Sequence, residues 1–153
     1  MPELVVELTS DPQRMDITLI HAFLSSTYWA DGRTVDQVQR SIENSRPYGL
    51  FVNGKQVAFA RVLSDLVSFA YVMDVFVVPG YRGMGYAKRL LAHMIADPVF
   101  DDVTLWQLKT TDTHGLYAKF GFLPLTDSTN HMRLHREIRE GSNPAPSSER
   151  DNL

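Results

Sequence analysis

Cysteine is absent from the 153 residues. That excludes disulfides, Cys-type zinc sites and a covalent thiolate mechanism, and it fits a reducing compartment. Runs of basic charge are missing too: Lys and Arg number 15 against 18 Asp and Glu, for a formal net charge of −3. Composition therefore gives no electrostatic basis for a nucleic-acid groove. No apolar run approaches the ~20 residues that a membrane-crossing helix needs. The segment MPELVVELTS at residues 1–10 lacks both the positive flank and the apolar core of an export signal. The expectation is a cytoplasmic protein with neither a membrane nor a nucleic acid as partner. Two phosphate loops are also lacking. There is no Gly-Lys-Ser/Thr, and Lys88 stands where a dinucleotide fingerprint wants its third glycine.

What the chain does contain reads as one mixed α/β domain over residues 1–138, followed by a disordered tail at 139–153 rich in Gly, Ser, Asn, Pro and charge. Leu4 to Leu8 reads as a first strand. Ser10-Asp11-Pro12 reads as the cap of a helix that buries Ile17, Ile20, Phe23 and Leu24. Thr34 and Gln37 form a capping box for a second helix with Val35, Val38 and Ile42 on its apolar face. Tyr48 to Val52 and Gln56 to Leu63 flank Asn53-Gly54, the dipeptide that a tight hairpin turn demands. A long strand from about Phe69 to Val78 follows, then a helix, a strand over Val103 to Leu108, and a short helix ending at Gly121. Phe122 to Leu125 and about His131 to Leu134 read as two last strands.

The densest signal is residues 74–90, DVFVVPGYRGMGYAKRL. Asp74-Val75-Phe76-Val77-Val78 has the β-branched and aromatic composition of a buried strand, and Pro79-Gly80 stops it. Ala87, Leu90, Leu91, Met94 and Ile95 then recur at helical spacing. The first turn of that helix falls on Arg82, Gly83, Met84, Gly85, Tyr86 and Ala87, where unpaired N–H groups and the positive dipole end favour an anion. Gly83 and Gly85 carry no Cβ to obstruct a diphosphate, and Arg82 offers a planar charged fork.

Arg82, Gly85 and Ala87 fit the pattern Arg/Gln-x-x-Gly-x-Gly/Ala, and Leu116, Tyr117, Gly121 and Phe122 fit a later Leu-Tyr…Gly-Phe pattern. With both on the expected elements, the chain resembles the GNAT superfamily of acetyl-CoA-dependent N-acetyltransferases over roughly residues 15–125. STYWADGR (26–33) and SIENS (41–45) further resemble bacterial members with unassigned acceptors. The resemblance implies a mixed α+β fold whose mostly antiparallel sheet of about six to seven strands splays between strands 4 and 5, with helices on both faces.

It also implies acetyl transfer from acetyl-CoA to the primary amine of a small molecule or peptide, by direct attack in a ternary complex. The pantetheine arm would lie in the splay against free backbone groups of Phe76 and Val78, and the diphosphate against Arg82 to Ala87. Tyr117 would protonate the departing thiolate, or it is an amphipathic core tyrosine. Asp74 is the candidate base, its pKa raised by burial, or else a structural carboxylate. No acid stands further upstream on that strand, where some family members have a glutamate. Tyr28, Trp29, Arg33 and His114 are candidates for the acceptor side. Arg33 would pair with an acceptor carboxylate, with Asp31 or with Asp36. No metal is expected, the His131 and His135 spacing falling on strand or tail. A homodimer is compatible with the resemblance. The alternative function is a non-catalytic acyl-CoA-binding sensor or interaction module.

Overall fold

A computed structural model describes residues 3–137. Strands β1 (Val6–Thr9), β2 (Arg46–Val52), β3 (Lys55–Ser64), β4 (Ala70–Val77) and β5 (Trp106–Gln107) form one sheet in that order. The first four are antiparallel neighbours, and β5 joins β4 in parallel. Asn53 and Gly54 close the β2–β3 hairpin at φ 51° and 81°, the left-handed pair that a right-twisted hairpin requires.

Helices cover both faces. Helices α1 (Ile17–Leu24) and α2 (Val35–Glu43) pack together over Phe59 and Phe76. On the other face α3 (Tyr86–Ile95) places Leu90, Leu91 and Met94 against Tyr48, Leu50, Ala58 and Val77. A short helix α4 (His114–Ala118) adds Tyr117 to that second core. The capping box on α2 forms, with both Thr34 and Gln37 side chains bonded to the backbone. Asp16, rather than the Ser10-Asp11-Pro12 segment, caps α1. Asp11 caps a separate 3-10 turn at Pro12–Arg14.

The expectation of six to seven strands is corrected to five among the described residues. Phe122 to Leu125 and His131 to Leu134 form no strand, and Met132 is 98% exposed. A ladder needs an edge to bind, and β5, at two residues, offers almost none. Pro124 removes a donor besides. The tail assigned to 139–153 lies outside the described residues.

Candidate active site

Strand β4 is laddered to β5 at Ala70–Trp106 and Tyr71–Gln107. Past Tyr71 the two strands part, so β4 presents an unladdered edge to the gap. Which groups face that gap follows from the pairing with β3. Val78 N–H donates to the Val57 carbonyl (2.8 Å), its own carbonyl accepts from Tyr81 N–H (3.1 Å), and Phe76 is registered with Phe59. Backbone direction alternates along a strand, so the groups between these belong to the other side. The gap is faced by Val75 and Val77, a correction to the expectation that placed Phe76 and Val78 there. The side chain of Phe76 lies instead on the α1 face, stacked on Phe23 with ring centroids 4.0 Å apart.

The one-residue offset coincides with a β-bulge. Between Phe59 and Arg61 there is one residue on β3, whereas Asp74 and Val75 stand between Met73 and Phe76 on β4. Asp74 takes φ 55°, which the short polar side chains of Asp and Asn tolerate better than others. Such a bulge bends the strand and re-aims its side chains.

Beyond Val78 the chain turns into α3. Gly85 is the N-cap at φ 81° with no side-chain cap, and Gly83 sits at φ 77°. A Cβ placed on either glycine would meet nothing within 4 Å, so open space lies over both. Among the described residues the backbone N–H groups from Arg82 to Lys88 meet no acceptor at hydrogen-bond distance and angle. Tyr86 turns its ring into the core and Met84 is exposed. This is a bare, unobstructed row of donors at a helix dipole's positive end, and it suits a diphosphate. The Arg82 guanidinium folds back onto β4: its Nε donates to the Val77 carbonyl at 2.9 Å, and its Cζ is 5.9 Å from the Phe23 ring centroid.

Around the bulge is a polar cluster inside an apolar wall. The Asp74 carboxylate accepts from Arg61 Nε (2.6 Å), Arg33 Nη1 (2.9 Å) and Trp29 Nε1 (3.0 Å). Burial pushes the Asp74 carboxyl up. The Arg61 and Arg33 guanidiniums outweigh that and hold it below the ordinary carboxylate range. The expectation of a burial-raised base is thereby corrected: a carboxylate held ionised by two cations is a poor proton acceptor near neutral pH. Arg33 reaches Asp74 rather than Asp31 or Asp36, and Asp36 pairs with Arg40. Tyr28 meets Trp29 edge-on at 5.4 Å. Trp29 and Arg33 thus join Asp74, whereas His114 stands exposed at the start of α4.

Tyr117 is buried in the core that also holds Val77, with Val75 at its margin, and its ring meets Phe122 edge-on at 6.0 Å. Arg61 was not singled out from the sequence. The signal for it was a lone arginine inside the otherwise apolar Val57–Leu63 run. Among the described residues no helix is long and apolar enough to cross a membrane.

The β4–β5 pair and the donor-lined helix start belong to a mixed α/β domain, and comparison with known proteins gives its lineage. The acetyltransferase (GNAT) family model matches residues 17–122, and the chain belongs to that family. A crystal structure from Xanthomonas campestris pv. campestris, of a protein assigned to the same family, is 44% identical with a TM-score of 0.83, covering 89% of this chain and 95% of the other. A structure from Clostridium acetobutylicum solved with acetyl-CoA shares the fold at 15% identity and a TM-score of 0.63, covering 87% of this chain and 96% of the other. Serotonin N-acetyltransferase 2, chloroplastic, of Oryza sativa subsp. japonica is 28% identical over 72% of this chain. This chain spans only 58% of that relative's length, and 59% of the length of another curated relative, the acetyltransferase-named FG08082 of Gibberella zeae.

Proposed function

We propose that this chain transfers an acetyl group from acetyl-CoA to a primary amine by direct attack, both substrates being bound together. The observation that carries the reading is the line of backbone groups turned away from β3, in which the Val77 carbonyl accepts from Arg82 Nε. It runs from Val75 and Val77 on the splayed edge of β4 to the N–H row from Arg82 to Lys88. Acetyl-CoA supplies an activated thioester, whose carbon the amine attacks as the carbon–sulfur bond breaks.

The chain's own groups have four tasks in this reading. The Arg82–Lys88 amides hold the diphosphate, with Gly83 and Gly85 keeping side chains out of the way. Val75 and Val77 bind the amide groups of the pantetheine arm as an added strand would. The N–H of Val75, at the bulge, donates to the thioester oxygen as that atom gains negative charge. The Tyr117 hydroxyl gives its proton to the departing sulfur and is reprotonated by way of solvent. Asp74 does not take the amine's proton. The net positive charge of its cluster disfavours an ammonium nearby, so the amine reaches the carbonyl neutral and releases its proton to water.

The test is thiol release from acetyl-CoA with a broad panel of amines, for the wild type, Tyr117→Phe and Gly85→Val. Release that depends on the amine and falls at least tenfold in Tyr117→Phe is expected, general acid catalysis being worth about 10²–10⁴-fold. Gly85→Val is expected to weaken CoA binding, since a β-branched residue at φ 81° is strained and its side chain enters the cradle. Tight CoA binding without turnover on any amine overturns the catalytic reading in favour of a sensor. Unchanged affinity in Gly85→Val overturns the diphosphate assignment.

A further inference from the structure

Resting on that reading, we propose that the acceptor amine carries an anionic group, a carboxylate or a phosphate, which docks on the paired guanidiniums of Arg33 and Arg61. The cluster is unbalanced: two arginines share one carboxylate, and among the described residues no other acid lies within ion-pair distance of either. Asp74 is 1% exposed, Arg61 8% and Arg33 25%. One buried arginine would neutralise Asp74. A second brings a desolvation cost with no further counter-charge among the described residues to offset it.

The unused donors point the same way. Arg61 spends only Nε on Asp74 and Arg33 only Nη1. No fully enclosed side-chain nitrogen or oxygen lacks a partner among the described residues. Among the described residues neither the Nη groups of Arg61 nor the remaining donors of Arg33 meet a further acceptor, and Arg33 is the more open of the two, 25% exposed against 8%. Asp74 itself fixes the two forks against each other, leaving their outer donors for planar or tetrahedral oxygens arriving from outside.

Placement makes this an acceptor site rather than a second carrier site. Asp74 is the residue before Val75, whose N–H faces the reacting carbonyl in the proposed reaction. The diphosphate donors lie past the C-terminal end of β4, beyond Val78. Arg33 and Trp29 come from the α1–α2 connection on the opposite face from α3. An amine bound there would have its anionic end on the guanidiniums and its nitrogen at the gap. A polyamine, with a second ammonium in the same place, would be repelled.

The experiment compares ω-amino carboxylates, ω-aminoalkyl phosphates and n-alkylamines of equal chain length, whose amine basicities are close, in the thiol-release assay. The expected result is a kcat/KM for one anionic series about 10- to 100-fold above the alkylamines, as hydrogen bonds between charged groups provide. Which series leads identifies carboxylate or phosphate. Arg33→Gln should bring that ratio close to one with CoA affinity unchanged, and Arg33→Lys should restore part of it. Arg33 carries the test because it is the more exposed of the two, 25% against 8%, so its replacement disturbs the fold less. In the wild type, short amine-free carboxylates or alkyl phosphates should compete with the acceptor. Equal or better turnover of alkylamines or polyamines overturns the inference and leaves acetyl transfer standing, as does a ratio that survives Arg33→Gln. No thiol release with any of these amines overturns both.

Discussion

Asp97 and Asp74 are both carboxylates held by arginine, and they are built differently. Asp97, just after α3, accepts from Arg46 Nε at 2.8 Å and from the Tyr48 hydroxyl at 2.7 Å, and caps the following 3-10 turn through Val99 N–H. One cation answers one anion, the arginine is over a third exposed, and the group ties the end of α3 to the start of β2. Asp74 takes two cations and an indole donor, is almost fully enclosed, and sits at a bulge beside the strand gap. A balanced, half-solvated trio is sufficient to join two elements. An enclosed trio with surplus charge is not explained by joining alone, and surplus donors at an opening are what a charged ligand uses.

The largest effect that separates the two is expected from Asp74→Asn. An asparagine keeps the side-chain shape and tolerates the left-handed backbone at this position, so the change isolates the charge. It leaves two guanidiniums uncompensated in an apolar wall, and removing one partner of a buried ion pair costs about 3–5 kcal/mol. Denaturant unfolding measures it. Adding Arg33→Gln to Asp74→Asn should recover part of the loss by removing the surplus. A cost below about 1 kcal/mol, the range of exposed pairs, would mean that both clusters are solvated alike.

The contrast between the clusters also marks how far the sequence reaches. The strand, glycine turn and helix over residues 74–95, the Asn53-Gly54 hairpin and the Thr34–Gln37 capping box are legible because each is fixed by neighbours in the chain. The partners of Asp74 are not, since Arg61 lies 13 residues away and Arg33 41. No local rule says that a lone arginine on β3 and one in the α1–α2 connection converge. The backbone frame is a subtler loss. Motif position assigns Phe76 and Val78 to the gap, and only the pairing with β3 shows that their groups turn the other way, leaving Val75 and Val77 there. The alternating Met132 and Leu134 look like strand residues, but pairing needs an edge, and edge length is a property of the folded sheet.

Acid sharpens the comparison next. Both carboxyls are held below their ordinary range: burial opposes this in each, and is outweighed by the two guanidiniums at Asp74 and by the Tyr48, Val99 and Arg46 hydrogen bonds at Asp97. A depressed folded pKa contributes stability that is present above the unfolded value, near pH 4, and is lost as pH falls through the folded one. Wild-type stability should therefore fall as pH drops below about 4, with contributions from both groups. Thermal midpoints across that range should fall less steeply in Asp74→Asn and in Asp97→Asn than in the wild type. The flattening should be larger for Asp74, whose cluster is the more enclosed. Equal flattening would erase the distinction drawn from burial.

The smallest effect belongs to Tyr48→Phe. The ring is fully buried and its hydroxyl both donates to Asp97 and accepts from Arg46 Nε at 3.0 Å. Phenylalanine keeps the ring, and Asp97 keeps Arg46 and Val99 N–H, so no buried group is orphaned. The expected loss is about 1.5 kcal/mol, the lower end for a hydrogen bond to a charged group. Burial, with Asp97 beside it, pushes the Tyr48 ionisation well above its usual position. A raised folded pKa means that the stabilisation is complete below the unfolded value, near pH 10, and is lost as pH rises through the folded one. The wild type should accordingly lose stability in alkali by a step that Tyr48→Phe lacks, measured by denaturant unfolding at rising pH. Because this trio is balanced and joins α3 to β2, the variant should leave the preference among acetyl acceptors unchanged. A shift in that preference would mean that the two clusters are coupled through the sheet rather than separate in function.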